Sequence, residues 1–321
     1  MTASRLAIVT GAAGFVGSHL VESLVAEDWR VRAIDNFSSY YDIEQKRHNA
    51  DVFADWPAVD FREQDLLDAD LDALMTGVDV VFHQAGQPGV RASWDQFESY
   101  VTANIGATQA LLDAARKSPV SRFVLASSSS IYGDAEVYPT EETALPRPMS
   151  PYGVTKLAAE HLCGVYARNW DIPTVSLRYF TVYGPRQRPD MAMHRLVEAA
   201  HSGSSFPLFG TGEQVRDFTY VADIVAANVA VAETEMPNGS VFNVAGGGAH
   251  SMNQVIALVE TLVGRPVQLE RGPAQAGDVM RTGASVRLIQ AATGWAATTD
   301  LETGLANQVQ WHLGRRGAAS S

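Results

Sequence analysis

The fold is decided near the start of the chain, in the stretch RLAIVTGAAGFVGSHLVESLVAED (residues 5–28). It opens with a short apolar run containing β-branched residues, which predicts a strand that stops at Gly11. The residues that follow have apolar side chains at helical spacing. Gly11, Gly14 and Gly17 lie between the two elements as Gly-x-x-Gly-x-x-Gly. This arrangement predicts a tight turn whose backbone can approach a pyrophosphate at the N-terminus of a helix.

An acidic residue follows at the end of the next predicted strand, RVRAIDN (residues 30–36). Asp35 lies 18 residues after Gly17, where a carboxylate can accept a hydrogen bond from the ribose 2′-hydroxyl of a dinucleotide. The same carboxylate would repel a 2′-phosphate, and no arginine stands in the adjoining IDNF (residues 34–37). The pattern therefore favours NAD over NADP as the cofactor.

Short apolar runs alternate with helix-like stretches through the first half of the chain. Further strands are predicted at residues 79–86, 122–129 and 173–180, and helices at residues 99–118 and 150–169. Such alternation indicates βαβ units with right-handed crossovers. We therefore predict an α/β fold, a Rossmann-like doubly wound parallel sheet with a smaller C-terminal α/β domain that binds the substrate.

The amino-acid composition changes near residue 180, where a segment rich in Pro, Arg and Gly begins. We expect residues 1–180 to form the NAD-binding domain and residues 181–321 to form mainly the substrate domain. A helix at 220–233 and a strand at 239–246 are expected to return to the first domain, which leaves 185–219 and 250–315 for most of the smaller one.

The composition excludes several classes of function. The 321 residues carry a formal net charge of −12, which argues against a nucleic-acid surface. There is one cysteine, Cys163, so neither a disulfide framework nor a cysteine-rich zinc site is expected, and we expect no metal. A single cysteine fits the reducing cytoplasm. No apolar run is long enough for a membrane span or a signal peptide.

Catalytic residues are predicted in SSSSIYGDAEVYPTEETALPRPMSPYGVTK (residues 127–156). Tyr152 and Lys156 are spaced as Tyr-x-x-x-Lys at a helix start, which places both side chains on one face. A neighbouring ammonium and a positive nicotinamide both favour the phenolate of a tyrosine. Tyr152 can then remove a hydroxyl proton while a strand-end serine, Ser128, orients the same oxygen.

The whole set of motifs resembles the extended short-chain dehydrogenase/reductase family, in particular its nucleotide-sugar epimerases and dehydratases. The resemblance covers nearly the whole chain and rests on these stretches: VTGAAGFVGSHL, IDNF, QDLLD, HQAG, ANIGATQALLDAA, SSSSIYG, SPYGVTK, RYFTVYGP, FGTGEQVRDFTYVADIV, FNVAGGG and GDV. It implies a UDP-sugar substrate and oxidation at C4 of the sugar by bound NAD.

The resemblance also assigns roles residue by residue. Catalysis is implied for Ser128, Tyr152 and Lys156. Cofactor binding is implied for Gly11, Gly14, Phe15, Val16, Gly17, Asp35, Asn36, Asp65, Leu66, Ala85, Gly86 and Asn104, together with Tyr152 and Lys156. Substrate binding is implied for Ser129, Ser130, Thr181, Arg188, Phe209, Arg216, Asn243 and Thr282, with Arg216 gripping the diphosphate. Helices near 99–118 and 150–169 would build the four-helix interface of a homodimer.

The reaction that follows C4 oxidation is less sharply defined. The related 4,6-dehydratases carry Asp and Glu after the catalytic hydroxyl residue, where this chain has Ser129 and Ser130. That difference argues against 4,6-elimination and resembles a 4-epimerase. In the same direction, HQAGQPGVR (83–91) and RYFTVYGPRQRPDMA (178–192) resemble UDP-glucuronate 4-epimerases, in which the threonine and arginine matching Thr181 and Arg188 can contact the C6 substituent.

A second resemblance indicates a different reaction. The run from residue 186 to 220 resembles the UDP-N-acetylglucosamine 5,6-dehydratases of tunicamycin-type antibiotic biosynthesis, and a small residue at Thr282 permits a C2 N-acetyl group. On that resemblance alone we expect first a lyase that converts UDP-N-acetylglucosamine to an exocyclic 5,6-ene. The alternative is 4-epimerisation of a UDP-N-acetylhexosamine or UDP-glucuronate. A remote alternative is a non-catalytic NAD-sensing regulator, which would lack the tyrosine–lysine pair.

Overall fold

The computed structural model describes residues 4–273 and 279–319, with only the backbone described for 315–319. Its strands are β1 (Leu6–Thr10), β2 (Arg30–Asp35), β3 (Val59–Glu63), β4 (Val80–His83), β5 (Arg122–Ser128), β6 (Thr174–Tyr179), β7 (Val182–Tyr183), β8 (Ser205–Phe209), β9 (Val215–Asp217), β10 (Thr219–Tyr220), β11 (Ser240–Val244), β12 (Ala249–Ser251) and β13 (Gln268–Gly272). Its α-helices are α1 (Phe15–Ala26), α2 (Ile43–Asp51), α3 (Leu71–Met75), α4 (Phe97–Tyr100), α5 (Ala107–Lys117), α6 (Pro151–Trp170), α7 (Ala192–Ser202), α8 (Val221–Glu233), α9 (Met252–Val263), α10 (Arg287–Thr293) and α11 (Leu301–Ala319). Short 3₁₀ turns occur at Ala92–Trp94 and Ser129–Ile131, and a π-helical turn at Val101–Gly106.

The centre of the molecule is a seven-stranded parallel sheet in the order β11–β6–β5–β4–β1–β2–β3. Its strands are apolar and buried on both faces, as the sequence of a covered parallel sheet requires. One face packs against α1, α8 and α10, and the other against α3, α5 and α6. This confirms the predicted α/β, Rossmann-like doubly wound fold.

A smaller layer covers one end of the sheet. It is built from α7, α9 and α11 with the two-stranded parallel pair β8–β13, and it has its own apolar core around Leu196, Phe206 and Val259. Helix α9 begins at a capping box in which Ser251 and Gln254 satisfy each other's backbone groups. The cap therefore has local start signals and a core of its own.

The structure differs from the sequence-based expectation in three places. Strand β3 at the sheet edge is not among the predicted strands, because VDFRE is short, has three charged residues and lacks the continuous apolar run of the buried strands. The π-helical turn Val101–Gly106 interrupts the single helix expected at 99–118. Helix α10 lies against β11, with Ile289 and Trp295 in the core of the large sheet, although residues 250–315 were assigned mostly to the smaller domain. The apolar face of α10 is what draws it there.

Helix α6 has strong start signals that determine where its first turn lies. Ser150 caps the helix by accepting from the backbone N–H of Gly153 at 3.1 Å, and Pro151 occupies the first turn. The first turn then places Tyr152 at the end of β5. In the described part of the chain no helix is both long and apolar enough to cross a membrane.

The glycine turn after β1 is packed backbone against backbone. The N–H of Gly14 donates to the carbonyl of Gly11 at 3.0 Å, and a Cβ added to Gly17 would lie 2.1 Å from that same oxygen. Gly11 itself has φ +68°, and a Cβ there would meet the backbone N of Ala85 at 2.8 Å. Strand β1, helix α1 and the end of β4 can approach this closely only without side chains.

We predict that Gly17→Ala destabilises the protein by about 1–3 kcal/mol or more, because its methyl group would overlap a fixed backbone carbonyl. Gly164→Ala is the matched control. Gly164 lies inside α6 with no atom within 4 Å of an added Cβ, so this change should stabilise the protein by about 0.5–1 kcal/mol. Urea unfolding of both variants measures the difference. Equal stability of the two would contradict the packing described here.

Candidate active site

A cavity of about 920 Å³ lies at the carboxyl ends of the central strands. This is the location expected of a ligand site in a doubly wound sheet. Among the residues proposed from sequence, the cavity brings together Gly11, Gly14, Phe15, Val16, Gly17, Asp35, Asn36, Asp65, Leu66, Ala85, Gly86, Ser128, Ser129, Ser130, Tyr152, Lys156, Thr181 and Arg188.

One end of the cavity has the features of a dinucleotide site. Helix α1 starts there at Phe15, and within this fully described helix there is neither a side-chain cap at Gly14 nor an acidic residue in the first turn. Its first N–H groups and its positive dipole end are thus open to an anion. The glycine turn supplies the close backbone surface. These residues fit the pyrophosphate of NAD.

Asp35 is held rigidly at the same end. Its carboxylate accepts from the backbone N–H groups of Ala13 at 3.0 Å and Phe37 at 2.8 Å. Burial raises the pKa of Asp35, and the ammonium of Lys46 and these two N–H groups oppose that rise. The remaining lone pairs of an ionised carboxylate in this position are suited to ribose hydroxyl groups.

The part of the cavity predicted to face adenine is formed by residues that follow β2 and β3. Asn36 donates from Nδ2 to the carboxylate of Asp65 at 2.7 Å, and Asp65 also accepts from the backbone N–H of Leu67 at 2.9 Å. Leu66 is buried beside them. The hydrogen bonds fix the loop so that a flat apolar ring can lie against Leu66.

The opposite end holds the groups proposed for catalysis. Ser128 is the last residue of β5 and Tyr152 lies in the first turn of α6, and the Ser128 hydroxyl is close enough to the phenol to lower the pKa of Tyr152. Lys156, one turn later, donates from Nζ to the carbonyl of Ala126 at 3.0 Å. A serine, a tyrosine and a lysine on adjoining elements are thus assembled around one corner of the cavity.

The electrostatics of Tyr152 differ from the sequence-based expectation. Burial raises the pKa of Tyr152, and the effects that oppose it come from the Ser128 hydroxyl and the Arg188 guanidinium, not from Lys156. Burial also lowers the pKa of Lys156 to about 8. In the protein alone, Arg188 is therefore the cation that favours the phenolate of Tyr152.

Arg188 is oriented by residues that the sequence analysis did not select. Its Nε and Nη2 donate to the two carboxylate oxygens of Asp190, each at 3.0 Å. The ring of Tyr40 lies 6.0 Å below the guanidinium, and the Tyr40 hydroxyl is 3.4 Å from Asp190. Tyr40 comes from the loop after β2, so two distant loops meet across the cavity.

Several further residues line the cavity but were missed, namely Tyr40, Tyr41, Lys46, Tyr179 and Asp190. Two tyrosines in the loop directly after the Asp35 strand were an available signal, because aromatic residues in a loop beside a ligand site seldom serve only as solvated surface. Nothing local marked Tyr179 or Asp190, which reach the cavity only through the packing of β6 and the following segment.

Five proposed residues are absent from the described lining of the cavity, and two of them are buried asparagines. Asn104 lies in the π-helical turn, where its carboxamide bonds both backbone groups of Gln87 at 2.7 and 3.0 Å and the hydroxyl of Thr155 at 3.0 Å. Asn243, fully buried on β11, accepts from the Tyr132 hydroxyl at 2.7 Å. The amide groups of both residues bond other parts of the protein behind the described lining, and their binding roles stay a prediction.

The other three lie in the cap. Phe209 ends β8 beneath the guanidinium of Arg91, 4.6 Å away. Arg216 on β9 donates to the carbonyl of Val215, to which Thr282 also donates its backbone N–H at 3.0 Å. Arg216 and Thr282 are therefore neighbours, as a shared diphosphate and sugar site requires, and their binding roles stay a prediction. Gly277 and Asp278 of the GDV motif lie outside the described residues.

The fold and site together define a Rossmann-type enzyme of the short-chain dehydrogenase/reductase class, with its hydroxyl, phenol and ammonium groups at the end of a dinucleotide cleft. The chain belongs to the NAD-dependent epimerase/dehydratase family, whose model matches residues 7–245. Membership confirms the predicted family and the prediction of NAD as the cofactor.

Individual relatives are similar along nearly their whole length. An uncharacterized UDP-glucose epimerase of Bacillus subtilis strain 168, YtcB, is 42% identical over 306 residues, covering 95% of this chain and 96% of its own. A probable UDP-glucuronate 4-epimerase of Rhizobium meliloti strain 1021 is 34% identical, with 95% and 96% covered. The crystal structure of a Bacillus cereus UDP-glucuronic acid 4-epimerase with UDP-glucuronic acid and NAD superposes with a TM-score of 0.94 at 39% identity, covering 97% of this chain and 100% of that one.

These relatives change the ranking of the reactions. All three are named as epimerases, so the comparisons support the alternative given above and lend no support to the lyase reaction or to antibiotic biosynthesis. The expectation of 5,6-dehydration rested on resemblance within residues 186–220, a stretch that includes Arg188 but none of Ser128, Tyr152 and Lys156.

We predict that Asp35→Ser weakens NAD binding by about 10- to 100-fold, because a charge-assisted hydrogen bond to ribose is lost. Affinity for NADP should fall less or rise, since the carboxylate no longer opposes a 2′-phosphate and Lys46 remains nearby. Calorimetric titration of nucleotide-free protein measures both affinities.

The matched control for this variant is Asp42→Ser. Asp42 caps α2 from an exposed position, and serine can replace it as a cap. If Asp35→Ser keeps the preference for NAD over NADP, or if the control shows an equal effect, Asp35 does not bind the ribose 2′-hydroxyl.

Proposed function

We propose that this chain is an NAD-dependent 4-epimerase of UDP-glucuronate. The observation that carries the proposal is the catalytic corner itself. Ser128 and Tyr152 lie side by side there, the next side chains are the hydroxyls of Ser129 and Ser130, and Arg188 lines the same cavity. Hydroxyl and guanidinium groups around a carbonyl-forming centre suit proton exchange at one oxygen beside an anionic substituent.

The residues can move the proton of the sugar 4-hydroxyl. NAD, when bound, supplies a reversible two-electron acceptor for C4. Tyr152 accepts the hydroxyl proton from the substrate oxygen and later returns it to the same oxygen, while the Ser128 hydroxyl holds that oxygen in place. Inversion at C4 needs no further acid or base, and the reaction as a whole is redox-neutral and loses no atoms.

The substrate carboxylate has suitable partners beside this corner. In the part of the chain that is described, Nε and Nη2 of Arg188 bind Asp190, and Nη1 has no hydrogen bond. Thr181, Ser129 and Ser130 offer hydroxyl donors in the same cavity. Charge-assisted bonds of this kind are stronger than neutral ones, which favours a sugar with a C6 carboxylate over one with a C6 hydroxyl.

Elimination lacks an evident base in this corner. The carboxylates that line the described cavity are Asp35 and Asp65 at the adenosine end, Glu98, and Asp190. Asp190 is already bound on both oxygens by Arg188. Serine at 129 and 130 cannot abstract a C5 proton at neutral pH. A non-catalytic NAD sensor is disfavoured because the serine, tyrosine and lysine are present and assembled.

The homodimer and the cytoplasmic location remain proposals. Exposed apolar side chains on α4, on the π-helical turn that follows it and on α6 support a face for a second copy: Phe97, Val101, Val154 and Val165. The cytoplasm is supported by the single cysteine, Cys163, which is buried and whose pKa burial raises to about 12.

The direct test is incubation of the NAD-loaded protein with UDP-glucuronate in deuterated water. We expect a product of unchanged mass with inverted C4 and no deuterium at C5, because no C5 proton is removed. UDP-N-acetylglucosamine is run in parallel, and Tyr152→Phe is the catalytic control, with kcat lower by about 10²–10⁴-fold. Proton NMR and mass spectrometry of the product give all three readings.

The outcomes separate the reactions cleanly. A product of UDP-N-acetylglucosamine lighter by one water and bearing vinylic protons would restore the 5,6-dehydratase reading. Deuterium at C5 would show that an elimination or 5-epimerase step occurs. Near-normal turnover of Tyr152→Phe would place the proton acceptor elsewhere.

Substitution of Arg188 tests the carboxylate site. For Arg188→Met we expect kcat/KM for UDP-glucuronate to fall by about 10- to 100-fold or more, and the fall for UDP-glucose to be smaller. Loss of the guanidinium also removes a charge that favours the Tyr152 phenolate, so the acid limb of the pH–rate profile should move to higher pH. Arg62→Met, at an exposed arginine paired with Asp60, is the control. Equal losses for both sugars would argue against a carboxylate contact.

A further inference from the structure

A buried ion pair lies directly behind the catalytic corner. Glu160 on α6 binds Arg178 on β6 through both carboxylate oxygens, Nε to Oε2 at 3.1 Å and Nη2 to Oε1 at 2.5 Å. Each side chain is only 6% exposed. Withdrawing two charges from water costs free energy that their attraction does not always repay, so a buried pair is weak evidence of a contribution to stability.

The pair is also connected to the last residues of β5. Ser127 donates its hydroxyl to Oε2 of Glu160 at 2.9 Å. In the parallel sheet Ser127 is the register partner of Arg178, and Ser128 is the partner of Tyr179. The residue beside the catalytic serine is therefore bound to Glu160 on one side and aligned with Arg178 on the other.

Helix α6 contacts the end of β5 once in each of three successive turns. Tyr152, Lys156 and Glu160 are spaced by four residues and share one face of the helix. Tyr152 lies beside Ser128, whose hydroxyl lowers its pKa, while Lys156 bonds the carbonyl of Ala126 and Glu160 bonds Ser127. The contact of Glu160 lies farthest from the cavity and is the only one of these three that involves an ion pair.

The far side of Arg178 is fully occupied as well. Nη1 donates to the Tyr132 hydroxyl at 2.6 Å and to the carbonyl of Glu142 at 2.9 Å, and Tyr132 in turn bonds Asn243. Tyr132 follows the 3₁₀ turn that carries Ser129 and Ser130. One guanidinium thus ties together the helix of Tyr152 and the turn that continues from Ser128.

We propose that Glu160 and Arg178 are positioning residues that fix the register of α6 on β5 and thereby hold the Tyr152 phenol beside the Ser128 hydroxyl. Neither side chain of the pair is among the described residues that line the cavity. A slip of the helix by a fraction of a turn would part Ser128 from Tyr152 while leaving the glycine turn and the NAD end intact. The inference rests on the proposed function only in assigning proton transfer to Tyr152.

The test replaces the pair by apolar residues, since a buried ion pair can often be exchanged in this way without loss of stability. The double variant Glu160→Leu/Arg178→Met should fold and retain NAD. We expect kcat to fall by about 10-fold or more with KM changed little, because the defect lies in proton transfer and not in binding.

A second readout does not depend on which sugar is the substrate. Ultraviolet titration of phenolate formation, taken as the difference between each NAD-loaded protein and its Tyr152→Phe counterpart, isolates Tyr152. The groups that act on Tyr152 or contact its ring are Ser128, Arg188 and Tyr100, and Lys156 lines the same cavity. If Ser128 is displaced, the titration midpoint of Tyr152 should move to higher pH. The shift corresponds to a rise in proton affinity of about threefold to tenfold.

Two further variants make the result decisive. Ser127→Ala removes one hydroxyl while keeping the ion pair, and we expect a smaller shift of the same sign. Arg122→Met is the control, because Arg122 is a buried arginine at the opposite end of the same strand, bonded to the carbonyl of Thr234. It should lower stability without moving the Tyr152 titration.

Each outcome bears on the inference. A folded double variant with wild-type kcat and an unchanged Tyr152 titration overturns it. If the double variant does not fold, an unchanged titration in Ser127→Ala overturns it. An equal shift in Arg122→Met also overturns it, since the effect would then follow from lost stability. If UDP-glucuronate proves not to be a substrate, the titration still decides the positioning role.

Discussion

The structure depends first on a backbone-to-backbone contact so close that it leaves no room for a side chain. The carbonyl of Gly11 accepts from Gly14 and lies against the Cα of Gly17, while Gly11 itself packs on the backbone of Ala85. The contact draws the ends of β1 and β4 together with the start of α1. Thr10 reinforces it, because its hydroxyl accepts from the N–H of Ala85 at 3.1 Å and bonds His83 at 2.8 Å. The cleft opens at this point because the helices change from one face of the sheet to the other between these two strands.

The chemistry at the other end of the cleft is governed by a competition between burial and charge. Burial opposes the phenolate of Tyr152 and the ammonium of Lys156 alike. Arg188 and the Ser128 hydroxyl act in the opposite direction on Tyr152. Under the proposed function the same guanidinium would meet the substrate carboxylate and favour the catalytic base. Binding of the correct sugar and activation of Tyr152 would then be linked through one side chain.

Arg188 can act there because the segment that carries it is fastened to the sheet domain. The ring of His19 bonds the carbonyl of Pro185 at 3.0 Å, and Arg186 pairs with Glu22 at 2.7 Å. Gln45 on α2 donates to the carbonyls of both Arg186 and Gln187, at 3.1 and 3.2 Å. These contacts join the start of the cap to the helices that flank the cofactor end. A loop rich in Pro and Arg thus becomes a fixed wall of the cavity.

Much of this protein could be predicted from short-range patterns in its sequence. The glycine turn, the Asp35 strand end and the Tyr152–Lys156 pair are local arrangements, and local backbone geometry is enough to identify them. The family and the cofactor followed from them. The reaction did not, because Ser129 and Ser130 exclude one elimination without identifying what replaces it. The tertiary structure decided which residues meet: it brought Tyr40 and Asp190 to Arg188, moved α10 to the large sheet, and bonded Asn104 and Asn243 to other parts of the protein behind the described lining. It also joined Glu160 to Arg178 and Ser127. Such contacts depend on strand order and register. Both arise from the packing of the whole chain, so no short-range pattern in the sequence predicts them.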